Sequence, residues 1–119
     1  RKALGNMRSD PGWEEALSKS PVLIDCRNKD ELESAGQIDG SVHIPCRMGD
    51  DPAAVVAATD KLPADKTTPI VVFCAVGGRA GRFKSALVDV GYSNVVNAGG
   101  YSDVKAKLNP DESSSCTVL

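Results

Sequence analysis

The chain has 119 residues and carries 14 Lys and Arg against 16 Asp and Glu, a formal charge of −2. This length suits one globular domain, and 41% hydrophobic with 25% charged residues is the ordinary balance of a packed fold, which excludes an extensively disordered chain. The slight acidity, with no cluster of Lys and Arg, argues against a nucleic-acid or anionic-membrane binder, and no apolar run reaches the length of a membrane span.

Residues 1–9 read as a disordered N-terminal extension and residues 10–109 as the domain. Asp10-Pro11-Gly12 reads as an N-cap followed by a first-turn proline, opening a short helix with Trp13, Ala16 and Leu17 on one face. Val22-Leu23-Ile24-Asp25 is an apolar run with a polar end, the pattern of a buried strand that reaches a functional rim. Asn28 and Glu31 have capping-box spacing for a brief helix that Gly36 stops. Ser41-Val42-His43-Ile44 alternates as a short strand, with His43 on the more polar face of an edge. Asp51-Pro52 opens a third helix that places Val55, Ala58 and Leu62 on one side before Pro63 breaks it.

Ile70-Val71-Val72-Phe73 is continuously apolar, as a central parallel strand covered on both faces must be. Cys74 and a small glycine-bearing loop follow, then a helix with Phe83, Ala86, Leu87 and Val90 at i, i+3, i+4 and i+7. Val95-Val96 is the next strand, Gly99-Gly100 a turn, and Val104 to Leu108 a last short helix. Residues 110–119 read as a disordered, Ser-rich tail. The strand–helix alternation predicts an α/β fold around a parallel sheet, whose ligands bind beyond the carboxyl ends of the strands, where Cys74 lies.

Cys74 carries the chemistry. A cysteine at a strand-to-helix turn meets converging N–H groups and the positive end of the following helix. Gly77 and Gly78 let the loop curl so that those groups point inward, and Arg79 adds a full positive charge. Such surroundings favour the nucleophilic thiolate and would hold a persulfide anion equally well. The alternative reading is a small buried residue ending a core strand, which the combination of strand, glycine loop, arginine and amphipathic helix disfavours. The other cysteines, at 26, 46 and 116, form no Cys-x-x-Cys pair, and His43 is the one histidine, so no metal site and no cofactor are expected. Cys26 and Cys74 in core-like strands predict reduced thiols and an intracellular setting, cytoplasmic or organellar. Cys46 reads as a bystander in preference to a resolving thiol. Cys116-Thr117-Val118-Leu119 has the form of a prenylation signal, but the upstream acids and serines, with no basic residues, argue against membrane association through Cys116.

Three stretches, 23–27 (LIDCR), 36–45 (GQIDGSVHIP) and 71–80 (VVFCAVGGRA), with 87–100 closing the pattern, make the chain resemble the rhodanese family of sulfurtransferases. The resemblance implies a three-layer sandwich with a central, mostly parallel five-stranded sheet and helices on both faces. It implies a persulfide on catalytic Cys74, with Ala75, Val76, Gly77, Gly78 and Arg79 binding the substrate and Asp25 and Arg27 supporting the rim, as a structural salt bridge in preference to a catalytic pair. A small-molecule sulfur donor, a thiol or cyanide acceptor (or a protein acceptor) and a monomer are the partners and state expected. Four residues separate Cys74 from Arg79, one fewer than in the related phosphatases, so a sulfane sulfur fits where a phosphate is crowded. Arg79 is expected either to contact a bound anion or to pair with Glu31 or Asp25. The chain departs from the family at Gln37, at Val76, where thiosulfate-using members carry lysine, and in lacking a tryptophan after Gly99-Gly100, a space left to Tyr101. A non-catalytic binding or sensing module is the alternative function.

Overall fold

The computed structural model of the chain describes residues 9–47 and 49–108. Residues 1–8 of the expected extension, the Ser-rich tail and Cys116 lie outside the described residues. Strands β1 (Val22–Asp25), β2 (Val42–His43), β3 (Ile70–Cys74) and β4 (Val95–Gly100) form one sheet in the order β2-β1-β3-β4. Every pairing is parallel. Helices α1 (Trp13–Leu17), α2 (Lys29–Ala35), α3 (Pro52–Ala58), α4 (Gly78–Asp89) and α5 (Tyr101–Leu108) make the connections.

β3 is buried along its whole length because both of its faces are covered. Side chains alternate across a strand, so Ile70, Val72 and Cys74 join a core with Val56 of α3 and Ala80, Phe83, Ala86 and Leu87 of α4. Val71 and Phe73 point the other way, into a second core with Leu17 of α1 and Tyr101 and Val104 of α5. The result is the expected three-layer sandwich, with Cys74 at the carboxyl end of its central strand.

Several local expectations shift. Four strands are described where five are implied. The outer edge of β4 is met by Asp10, which was expected to cap α1: its N–H donates to the Asn97 carbonyl at 2.7 Å and its carboxylate accepts the Asn97 N–H at 2.9 Å. An exposed strand edge leaves backbone groups in need of partners, and the Asp10 side chain supplies one that a neighbouring strand would otherwise give. The third helix stops at Ala58 because Thr59 is extended, so Leu62 packs on the core from the following loop and Val56 is the residue α3 buries. Val90 lies beyond α4 and is 45% exposed. Gly99 and Gly100 are the last residues of β4, and α5 begins directly at Tyr101.

One polar device organises the strand ends. Asp25, the last residue of β1, and Arg27 are both buried, and the guanidinium meets the carboxylate through Nε at 3.0 Å and Nη2 at 2.8 Å. Arg27 Nη2 also donates to the Gly36 carbonyl at 2.8 Å, its guanidinium lies 3.9 Å from the centre of the Tyr101 ring, and its carbonyl accepts from His43 Nε2 at 2.6 Å. Tyr101 in turn stacks on Phe73 and donates to the Ala35 carbonyl. The Asp25–Arg27 pair therefore ties β1, β2, the end of α2 and α5 together. Removing one partner of a buried pair strands the other charge. Arg27→Met is expected to cost about 3–5 kcal/mol in denaturant unfolding; a loss below about 1 kcal/mol would show that the pair does not hold the fold.

Candidate active site

Cys74 is fully buried, and its Sγ accepts hydrogen bonds from the Gly77 N–H at 3.0 Å and the Ala80 N–H at 3.4 Å. These donors come from the cap and first turn of α4, a twelve-residue helix whose positive end faces the sulfur. Of the N–H groups expected to form the cradle, those of residues 75–79, Gly77 donates to the sulfur, and the second donor is Ala80, one residue beyond that range. Two converging N–H groups and a helix terminus stabilise negative charge on sulfur, whether thiolate or persulfide.

The loop takes this shape for identifiable reasons. Gly77 caps α4 with φ 105°, a left-handed conformation that side-chain-bearing residues rarely adopt. Its carbonyl accepts from Asn97 Nδ2 at 3.1 Å, while Asn97 Oδ1 accepts the Gly99 N–H at 2.9 Å. Asn97 is a positioning residue that sequence reasoning missed. The available signal was one polar residue inside the apolar run Val95-Val96-Asn97-Ala98, since a buried amide needs partners. Gly100 pairs with Cys74 across β3 and β4. A Cβ on Gly100 would lie 2.7 Å from the Ala75 carbonyl oxygen, so the absence of a side chain there lets the loop settle against β4.

Arg79 turns to Glu31, the first of its expected acidic partners, and not to Asp25. Nη1 meets Oε1 at 2.6 Å and Nη2 meets Oε2 at 3.0 Å, a two-pronged contact between α4 and α2. Glu31 Oε1 also accepts the Asn28 N–H at 2.8 Å, the carboxylate half of the expected capping box. The hydrogen bond to Arg79 holds the Glu31 carboxyl well below its ordinary value of 4.5, down to about 2. The bond to Glu31 raises Arg79 in turn, and the Cys74 sulfur lies within its electrostatic reach.

Among the other thiols, Cys26 and Cys46 are buried and free, and desolvation raises both, Cys26 the more strongly. Neighbouring sulfurs at 46 and 74 add to the effect on Cys26. Buried thiols kept neutral are poor nucleophiles, so these two pack the core under Cys74. Ala75 and Val76 face outward, Val76 at 62% exposure. They border a groove of about 950 Å³ whose walls include Trp13, Glu14, Asp103 and Lys107. The described residues contain no cluster able to hold a metal ion and no helix long and apolar enough to cross a membrane.

Two expectations follow from this geometry. Gly100→Ala must displace the Ala75 carbonyl, so a loss of about 1–3 kcal/mol in stability is expected, with backbone amide shifts in NMR spectra reaching Gly77; unchanged amides at residues 74–80 would contradict the close approach. Glu31 has a folded-state value below its unfolded one, so the pair stabilises fully above pH of about 4.5 and loses that contribution as pH falls toward about 2. Between pH 5 and 3 the wild type is expected to lose about 1 kcal/mol more stability than Glu31→Gln, allowing for solvent screening of a partly exposed pair. Parallel losses in the two proteins would refute this.

Residues 10–107 match the family model for the Rhodanese-like domain. Thiosulfate sulfurtransferase PspE of Escherichia coli (strain K12) is 28% identical over 81 residues, covering 68% of this chain and 71% of that protein. The Rhodanese domain-containing protein CG4456 of Drosophila melanogaster is 34% identical over 79 residues, covering 62% and 71% respectively. The human single-domain sulfurtransferase TSTD1 shares the fold with a TM-score of 0.57 at 27% identity, over 82% of this chain and 92% of that one. With a parallel sheet in three layers, a loop that wraps a cysteine at the end of the central strand, and a family match along residues 10–107, the chain belongs to the rhodanese-like family.

Proposed function

We propose that the chain is a sulfurtransferase that carries a sulfane sulfur as a persulfide on Cys74. The observation that carries this reading is the pair of N–H groups, from Gly77 and Ala80, directed at Cys74 Sγ from the start of α4. The thiolate attacks the outer sulfur of a donor, the donor's sulfur–sulfur bond breaks, and the electron pair leaves with the donor remnant. An acceptor then attacks the outer sulfur of the persulfide, and the Cys74 thiolate departs into the same cradle. No metal or organic cofactor enters either step. The donor is a small molecule, and the acceptor is a thiol, cyanide or a protein thiol, reached from the side where Ala75 and Val76 are exposed. Kinship with a protein named a thiosulfate sulfurtransferase supports the reaction class. The domain of residues 10–109 is taken to act as a monomer in a reducing, intracellular compartment, where a persulfide carrier stays active.

Electrostatic interactions around a buried sulfur are stronger than in solution. The two N–H groups would stabilise charge that develops on the sulfur as Cys74 attacks and as it leaves. Full burial of Cys74 also favours a second reading, a binding or sensing module whose loop recognises a partner without turnover.

The reduced protein, exposed to thiosulfate and then to a more reactive polysulfide, is expected to gain one sulfur atom by intact mass, whereas Cys74→Ser gains none. Equal gain in Cys74→Ser would place the chemistry elsewhere. Absence of gain from both donors in the wild type would favour the binding module.

A further inference from the structure

A rim that receives anionic donors should present uncompensated positive charge, and the one cation of the Cys74 loop is held by a carboxylate. Arg79, the charge nearest the sulfur along the loop, is spent on Glu31 through two short hydrogen bonds. The outermost loop residue is apolar Val76, 62% exposed. The groove bordering Ala75 and Val76 has Glu14 and Asp103 in its walls, with Lys107. Asp10, also in that wall, is already paired with Lys84 at 2.5 Å. The N–H groups of Gly77 and Ala80 suit one negative charge, that of the sulfur itself.

From this arrangement we infer that Glu31 is a specificity-determining residue: by neutralising Arg79 it sets the site for neutral or singly charged organic persulfide donors and against dianions such as thiosulfate. The inference rests on the persulfide reading of Cys74. With a donor R–S–SH the Cys74 thiolate attacks the outer sulfur and the R–S bond partner departs as a thiolate. The outer sulfur keeps its proton and is bound to Cys74. One sulfur–sulfur bond breaks, one forms, and no external oxidant or reductant is needed. Glu31 touches neither sulfur; it acts through Arg79, and the groove beside Val76 offers room for the organic remnant.

The discriminating measurement is equilibrium binding of sulfate, an inert dianion, to the wild type, Glu31→Gln and Glu31→Asp. Glutamine keeps the shape and one acceptor but removes the charge, and aspartate keeps the charge. Sulfate is expected to bind Glu31→Gln about tenfold more tightly than the other two, since freeing one partly buried cation is worth roughly that much, while affinity for the monoanion nitrate changes far less. Equal sulfate affinity in the three proteins overturns the inference, and so does a gain in Glu31→Asp as large as in Glu31→Gln, which would reveal a steric cause. Because binding requires no sulfur transfer, this outcome is independent of the persulfide reading. In the wild type alone, kcat/KM is expected to be higher for an alkyl persulfide, which carries at most one negative charge, than for the dianion thiosulfate. The reverse order overturns the donor preference even if a variant fails to fold.

Discussion

The hydrogen bonds from Gly77 and Ala80 to the Cys74 sulfur are the constraint around which the rest of the molecule is arranged. Two backbone N–H groups can converge on one atom only if the chain curls sharply between strand and helix. That curl needs a left-handed residue at 77, an external partner for the Gly77 carbonyl, and room for the loop to lie against the neighbouring strand. Gly77, Asn97 and Gly100 meet these requirements in turn. Two of them belong to β4, so the cradle is a property of the sheet as much as of the loop.

Charge is handled differently at two neighbouring places. The Asp25–Arg27 pair is buried and satisfied on several sides, by Gly36, the Tyr101 ring and, through the Arg27 backbone, His43. Its work is to hold strand ends in register, and its desolvation cost is offset by that dense set of partners. The Glu31–Arg79 pair sits further out, with Glu31 30% exposed, and links α2 to the first turn of α4. It fixes the arginine near the sulfur while cancelling its charge. A cation so placed shapes the loop without making the rim strongly attractive to anions.

Much was legible in the sequence because it is written in local patterns. The unbroken apolar run of β3, the 3.6-residue spacing of Phe83, Ala86 and Leu87, and the strand–helix alternation follow from burial alone, and they place Cys74 at the end of a central parallel strand. Errors gathered where local preference met a tertiary partner. Asp10 has the form of a helix cap, yet an unfilled strand edge at Asn97 offers its N–H and carboxylate better-placed partners. Gly99-Gly100 has the form of a turn, yet these residues finish β4, where Gly100 pairs with Cys74 and leaves room for the Ala75 carbonyl.

By itself, the sequence determined the fold class and the place of Cys74 and its glycine loop at the end of the central strand, since hydrophobic period, glycine placement and loop length are properties of neighbours along the chain. Only the tertiary structure decided which acid Arg79 takes, that Asn97 pins the loop, and that Ala80 completes the cradle. Those are contacts of 48, 20 and 6 residues' separation, and the last depends on the turn geometry that Gly77 adopts. Hydrogen bonds are directional over a few tenths of an ångström, so partners distant in sequence are chosen by the packing that brings them together and not by residue type alone.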